Sequence, residues 1–171
     1  ASDVYKRQIQ TLWAGPWMLN ISGYTPLQSA TGLFWINITM LISYFIWGYI
    51  LPKISDYGIS SIKLIKLGLP ISYFSLFLII YFGNNAGAFL FTIYIMTSIV
   101  ISLTQPAIAL NFSKNLAGKS LTSFNVFLFS GTFFVQWGIG LVIDLCNNKG
   151  FDILSSYRIS FSLFLFLCVL S

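Results

Sequence analysis

Residues 62–110 read IKLIKLGLPISYFSLFLIIYF, then GNNAG, then AFLFTIYIMTSIVISLTQPAIAL, which is two long apolar runs separated by a short turn. A helix needs about 20 predominantly apolar residues to cross the hydrocarbon core of a bilayer, and each run meets that length. The divider at 83–87 is built from Gly, Asn and Ala, and Gly and Asn favour turns. The stretch therefore predicts two antiparallel transmembrane helices with a tight connection. A membrane β-barrel would instead show alternating segments of about ten residues.

The same pattern continues on both sides of this pair. Four complete spans are predicted, at about 29–51, 62–82, 88–110 and 121–145. Their dividers are short and contain Gly, Pro, Ser and Asn, so consecutive helices are expected to run antiparallel. The predicted fold class is all-α, a polytopic transmembrane helix bundle in one domain covering residues 9–171.

The composition supports a membrane environment. Apolar residues make up 57% of the chain and charged residues only 8%, whereas soluble domains carry about a quarter charged residues. The net charge of +5 comes from basic residues scattered singly, which predicts a lipid bilayer and not nucleic acid as the partner. The chain has no His, and Cys146 and Cys168 lack metal-ligand or redox spacing. We predict no metal site and no cofactor.

Both ends of the sequence depart from this pattern. Residues 3–8 match the translation of a transposon end used to prepare sequencing libraries, so residues 1–8 are predicted to be a library-derived scar. The apolar segments 9–20 and 158–171 would extend roughly 18 and 21 Å as helices. Because the hydrocarbon core is about 30 Å thick, both segments are predicted to be partial spans.

The positions of Lys and Arg predict the orientation of the bundle. Lys53, Lys63 and Lys66 surround one connection, and Lys114 and Lys119 surround another on the same side. Cytoplasmic loops of membrane proteins carry an excess of Lys and Arg. The loops 52–66 and 111–120 are therefore predicted to be cytoplasmic in a multi-pass protein.

Three motifs resemble a known transporter family. They are Trp-Ala-Gly-Pro-Trp at 13–17, the connection Asn-Phe-Ser-Lys-Asn-Leu-Ala-Gly-Lys-Ser-Leu-Thr-Ser-Phe-Asn at 111–125, and Phe-Val-Gln-Trp-Gly-Ile-Gly at 134–140, which Asp144 follows. From Ile9 onward the chain resembles helices seven to twelve, the C-terminal half, of a bacterial major facilitator superfamily transporter.

The resemblance implies half of a twelve-helix fold in the bacterial inner membrane. It further implies a secondary transporter that moves a small solute by alternating access, with the N-terminal six-helix half of the same chain as its partner. One motif departs from the family, which often places Gly-x-x-x-Asp between the eighth and ninth helices. Gly48 is present, but Pro52 occupies the Asp position, and Asp56 and Lys63 lie out of register. We therefore assign no gating charge network to this loop.

Uncharged polar residues supply the candidates for solute contact, since no charged residue lies well inside the four complete spans. Helical spacing puts several on shared faces. These groups are Gln10, Trp13 and Trp17; Asn37, Tyr44 and Gly48; Tyr94, Ser98 and Gln105; and Asn125, Thr132 and Gln136. Pro106 is expected to bend its helix just after Gln105.

The resemblance places the seventh and tenth helices beside the central cavity. The predicted substrate-binding residues are Gln10, Trp13, Trp17, Tyr94 and Gln105, followed by Asn125 and Gln136. Polar side chains in membranes also serve as bonds between helices, and Trp serves as an interfacial anchor, so a packing role is the alternative for each residue. Gly131 and Gly138 are predicted to permit close helix packing.

Two other function classes compete with a transporter. One is a complete six-helix membrane protein with a structural or channel role, against which the short end segments argue. The other is a membrane-embedded enzyme, which would need a catalytic group such as a Ser with a base or paired carboxylates. The three acids outside the scar, Asp56, Asp144 and Asp152, lie near loops or helix ends and form no such group in the sequence, so the chain is predicted not to be an enzyme.

Overall fold

A computed structural model describes residues 13–106 and 114–170. The described residues form six α-helices and two short 3-10 segments. The helices are α1 (Ala14–Asn20), α2 (Pro26–Asp56), α3 (Ser61–Phe82), α4 (Ala88–Ser98), α5 (Lys114–Asn148) and α6 (Ile153–Leu170). The 3-10 segments are Gly83–Asn85, between α3 and α4, and Ile99–Leu103, which prolongs α4.

Five helical stretches of the described residues are long and apolar enough to cross a membrane: 26–56, 61–85, 88–106, 116–148 and 153–170. The predicted all-α bundle of apolar helices is confirmed at this level. The last helix begins at Ile153, so its 18 residues exceed the length estimated from Arg158 onward, which corrects that estimate.

Side-chain caps define where the helices begin. Thr25 forms a capping box with Gln28, in which the Thr25 hydroxyl accepts from the Gln28 N–H and the Gln28 side chain accepts from the Thr25 N–H. The Ser60 hydroxyl accepts from the Lys63 N–H at the start of α3. Asp152 accepts from the Ser155 N–H at the start of α6. These caps satisfy backbone donors that have no partner within a helix.

The helix that begins at Ala88 tightens into the 3-10 segment Ile99–Leu103 before it reaches Pro106. A proline ring clashes with the carbonyl four residues before it, so its disturbance falls on the preceding turn. The tightening therefore falls in the turn before Gln105 and Pro106, and the chain after Pro106, where the effect of the predicted bend would show, lies outside the described residues. Ser102 and Thr104 donate to the Ile99 and Ile101 carbonyls and satisfy acceptors in this turn.

The bundle has an apolar core and also exposes large apolar side chains on its outer surface. Its fully buried core contains aromatic and aliphatic side chains of α1, α3, α4 and α6, and the buried polar residues among the described ones are all serines. Large apolar side chains such as Phe45 and Phe127 are instead exposed. Water would not tolerate so much exposed apolar surface, but lipid would. The surface therefore fits a membrane-embedded bundle.

Helix packing follows a simple order. The helix α4 packs against α2 and α3, α3 also packs against α6, and α5 packs against α6. The short α1 contacts α2, α4 and α6.

At Gly138 the prediction of close packing is wrong, because a Cβ there would meet no atom within 4 Å. Close approach occurs instead at Gly68, whose Cβ would clash with Val100.

Candidate solute-facing site

The two tryptophans of the 13–17 motif meet α4 and α6. Trp17 has no exposed surface, and its ring centroid lies 4.8 Å from that of Phe161, 5.9 Å from that of Tyr157 and 6.2 Å from that of Phe91. Trp13 is half-buried and lies 6.1 Å from Tyr157 in an edge-to-face arrangement. Such aromatic contacts add stability beyond area burial. The predicted shared face is therefore the face of α1 that meets Tyr157.

The indole N–H groups of this pair are the unusual feature of the site. The Nε1 atoms of Trp13 and Trp17 are both buried, and neither has a hydrogen-bond acceptor among the described residues. A buried donor without a partner costs about 1–3 kcal/mol. Nearby, the Asn20 amide donates to the Tyr157 hydroxyl at 3.3 Å. Among the aromatic side chains around α1, the Asn20 amide is therefore hydrogen-bonded, while the two indole N–H groups are not.

Tyr94 belongs to the same core, with 1% of its surface exposed. It lies three residues beyond Phe91, which contacts Trp17, so both face the α1 side of α4. Gln105 is half-buried, and eleven residues separate it from Tyr94. That separation corresponds to roughly 16 Å along a helix. Tyr94 therefore lies with the α1 tryptophans, and Gln105 lies toward the opposite end of the bundle.

On α5, Gln136 lies closer along the helix to the residue that faces Trp13 than Asn125 does. A Cβ at Gly140 would lie 3.5 Å from the Trp13 ring, and Gln136 precedes Gly140 by one helical turn. Asn125 lies another eleven residues back, roughly 16 Å along the helix. Both amides are half-buried. Three predicted residues, Trp13, Trp17 and Tyr94, therefore occupy one region. Gln136 lies one turn before the α5 residue that faces Trp13, and Gln10 lies outside the described residues.

Two other polar residues from the sequence pattern bond to their own helix. Asn37 donates to the Leu33 carbonyl at 2.7 Å, and Thr132 donates to the Leu128 carbonyl at 2.6 Å. Such bonds to the preceding turn satisfy a side chain without help from another helix. The spacing of polar residues therefore does not by itself identify a solute-facing face.

The sequence did not reveal a polar connection near the candidate site. Arg158 donates from Nε to the Ile80 carbonyl and from Nη2 to the Tyr81 carbonyl, both at 3.0 Å. These carbonyls lie at the C-terminal end of α3, where a positive charge is favourable. Gly83 follows with φ of +53°, and a Cβ there would lie 2.5 Å from Nη2. The sequence contained two signals of this connection, which are Gly83 after the helix and Arg158 within an apolar segment.

Further bonds join the loops at the same end of the bundle. Ser22 donates to the Ala86 carbonyl at 2.8 Å, and Ser156 donates to the Asn147 side chain at 2.7 Å. The Ser155 hydroxyl and then its backbone N–H hold the pKa of Asp152 below its ordinary value. The connections after α1, α3 and α5 therefore form one polar end beyond the tryptophan cluster.

Three surface grooves of the bundle lie elsewhere. One groove lies between α5 and α6 on their surface, and the other two lie among α2, α3 and the helical stretch 88–106. None of these three is lined by a predicted substrate-binding residue. Within the described ranges, no three His, Cys, Asp or Glu side chains are grouped as metal ligands would be. Comparisons with protein-family models, curated proteins and solved structures find no match to this chain.

Proposed function

We propose that this bundle is one six-helix half of a secondary transporter that moves a small uncharged or amphiphilic solute across the bacterial inner membrane. A second six-helix half of the same protein completes the solute cavity. The motifs at 13–17, 111–125 and 134–140 support the transporter class, and the apolar outer surface supports the membrane setting. In such carriers the solute lies near the middle of the membrane, between the two halves.

The observation that carries the proposal is the packing of Trp13, Trp17 and Tyr94 in one aromatic core, with Gln136 one helical turn before the α5 residue that faces Trp13. Two buried indole donors there have no acceptor among the described residues. Solute sites are largely apolar and aromatic, with a few polar groups that fix orientation. A solute with a hydroxyl or carbonyl group would supply an acceptor for these donors, and the aromatic rings would cover its apolar part.

Alternating access explains how a buried group would meet solute. The short α1 contacts α2, α4 and α6, so a small shift of α1 would open the space beside Trp17. Rocking of one half against the other provides such a shift, and solute binding favours the state in which the indole donors are paired. No charged residue lies well inside the four complete predicted spans, which agrees with a neutral solute.

Uptake assays of the complete reading frame that contains this chain test the proposal. Proteoliposomes would be offered labelled sugars, amino acids and amphiphilic drugs, and uptake would be compared with that of empty vesicles. We expect uptake of one class and a loss of about tenfold in Gln136→Leu, since an unpaired polar contact in a solute site costs about 1.4 kcal/mol or more. Trp35→Phe is the matched control, because Trp35 is 59% exposed on the outer surface.

The outcomes separate the function classes. Absence of uptake for every solute class would reject the transporter proposal. Chemical turnover of a solute without its movement across the membrane would favour a membrane enzyme. A structural or channel protein has one observation in its favour, which is the complete burial of Trp17 and Tyr94 in a packed core. Under that alternative, channel currents or no flux at all would replace saturable uptake.

A further inference from the structure

Two apolar grooves meet on the outside of the bundle at Trp47 and Met96. The first, between α2 and α4, extends along α2 from Ser43 to Ile54 and has a volume of about 350 Å³. The second, of about 260 Å³, lies between α3 and the helical stretch 88–106, and Leu64 lies at one end of it. Trp47 and Met96 line both grooves and separate them as a shared ridge.

The dimensions of the first groove match one leaflet of a bilayer. Ser43 and Ile54 are eleven residues apart on α2, which corresponds to roughly 16 Å. Half of the hydrocarbon core is about 15 Å thick. Both grooves are almost entirely apolar in their lining, and both belong to helices that are long and apolar enough to span. An acyl chain is the ligand that fits a groove of this length, polarity and location.

Lysines lie at the end where the two grooves approach the α2–α3 connection. Lys53 adjoins Ile54 of the first groove, and Lys63 and Lys66 flank Leu64 of the second. All three lysines are exposed, and the Lys53 ammonium donates to the Tyr49 hydroxyl at 2.6 Å and lies 3.9 Å from the Tyr49 ring centroid. Asp56 is the acidic residue of this connection. The positive charges therefore exceed the negative charge at the α2–α3 connection, the end of the bundle that both grooves approach.

We propose that this surface binds one anionic phospholipid, with its acyl chains in the grooves on either side of Trp47 and its phosphate at Lys53, Lys63 and Lys66. The apolar grooves select a lipid over a soluble phosphate, since free phosphate would leave them uncovered. The lysine charges select an anionic headgroup over a zwitterionic one, because each Lys near a membrane surface contributes about 1 kcal/mol of attraction to anionic lipid. The lipid would hold α2, α3 and α4 together on their outer side.

Quenching of Trp47 fluorescence by brominated lipid tests this site. The chain would be reconstituted in phosphatidylcholine vesicles with a small fraction of acyl-brominated phosphatidylglycerol, or with the same fraction of acyl-brominated phosphatidylcholine. The difference between the wild type and Trp47→Phe isolates the signal of Trp47 from that of the other tryptophans. We expect stronger quenching by the anionic lipid, and loss of this preference by about fivefold for each lysine replaced by Gln.

Matched controls make the outcome decisive. Lys119→Gln removes an exposed lysine of α5 outside the two grooves, and Lys149→Gln removes one at the opposite end of the bundle. Both should retain the preference, whereas Met96→Phe, which narrows both grooves from an exposed position without adding an indole, should reduce quenching of Trp47 by either lipid. Equal quenching by the two brominated lipids in the wild type, or an unchanged preference in Lys53→Gln/Lys63→Gln/Lys66→Gln, would overturn the proposal.

Discussion

At the scale of single residues, Trp17 has a packing role in the structure, and the proposed function adds a binding role. Its ring is enclosed by Phe91, Tyr157 and Phe161, yet its indole N–H has no acceptor among the described residues. The ring stabilises the core through area and aromatic contacts, whereas the buried N–H lowers stability while it lacks a partner. Two substitutions separate these roles.

We predict that Trp17→Ala lowers the free energy of unfolding by about 3–5 kcal/mol, because it leaves a large cavity in a packed core. Trp17→Phe should cost about 1 kcal/mol, since an aromatic ring remains and the lost N–H had no partner. Denaturant unfolding in mixed micelles, followed by circular dichroism, measures both. A cost of Trp17→Phe as large as that of Trp17→Ala would show that the N–H is bonded in the folded chain.

The connection between Arg158 and the end of α3 yields a second prediction at this scale. Replacing Gly83 by Ala forces a residue with a Cβ into a positive φ, which costs roughly 1–2 kcal/mol, and displaces the Arg158 guanidinium. Arg158→Gln should cost about 2 kcal/mol through the loss of hydrogen bonds from a charged donor. Thermal unfolding of the purified variants in detergent measures these effects.

Gly58→Ala is the matched control for Gly83→Ala. Gly58 also has a positive φ, of 75°, but a Cβ there would meet no atom within 4 Å. Gly58→Ala should therefore cost only the backbone strain. Equal destabilisation by Gly58→Ala and Gly83→Ala would contradict a stabilising role for the Arg158 bonds.

The sequence could predict part of this residue-scale description. The spacing of Trp13 and Trp17 indicated a shared face, and both rings do contact Tyr157. It could not show that Trp17 is enclosed, because Phe91 and Phe161 come from parts of the chain that are distant in sequence. It likewise gave no hydrogen-bond partner for Arg158, since the carbonyls that accept from it are defined by where α3 ends.

At the scale of helices, long apolar runs were sufficient to predict which segments are helical, but not how each helix ends or bends. The prediction for 88–110 included a bend just after Gln105, but it did not include the tightening at Ile99–Leu103 that the structure has. The last helix begins at Ile153 because Asp152 caps it. Capping residues lie in polar segments, and a prediction from hydropathy alone assigns such segments to loops. Local capping and proline geometry therefore correct the boundaries that apolar length suggests.

The contact between Gly68 and Val100 holds α3 against this tightened segment. We predict that Gly68→Ala destabilises the bundle by about 1–3 kcal/mol, because a Cβ there would clash with Val100 and force the two segments apart. In the double variant with Val100→Ala, the removed methyl groups should relieve part of this cost. A double-mutant cycle of unfolding free energies measures the coupling.

The coupling free energy between Gly68→Ala and Val100→Ala decides whether the two residues are packed against each other. Gly48→Ala is the control within α2, since a Cβ at Gly48 would meet no atom within 4 Å. Strictly additive costs of Gly68→Ala and Val100→Ala would mean that the two residues are not packed against each other. A Gly48→Ala variant as unstable as Gly68→Ala would point instead to a general effect of glycine replacement in these helices.

At the scale of the whole molecule, the distribution of side chains is that of a membrane protein. The connections after α1, α3 and α5 meet at one end and are joined by bonds such as Ser22 to Ala86. The connection after α2 lies at the opposite end, with Lys53, Lys63 and Lys66. Composition and hydropathy predicted the membrane class, because both depend on totals over the chain. The solute cannot be inferred in this way, because it depends on a few contacts within a cavity that two halves would share.

Site-directed labelling of single cysteines tests the membrane-spanning, up-and-down arrangement most directly. Cys146 and Cys168 would be replaced by Ala, and one cysteine would be introduced at the exposed position Tyr57, Asn84, Lys119 or Lys149. An impermeant maleimide would then be added to intact cells and to lysed cells. We predict that Asn84→Cys and Lys149→Cys react in intact cells, and that Tyr57→Cys and Lys119→Cys react only after lysis. Labelling of Tyr57→Cys and Asn84→Cys from the same side would contradict a membrane-spanning α3 and, with it, the whole account.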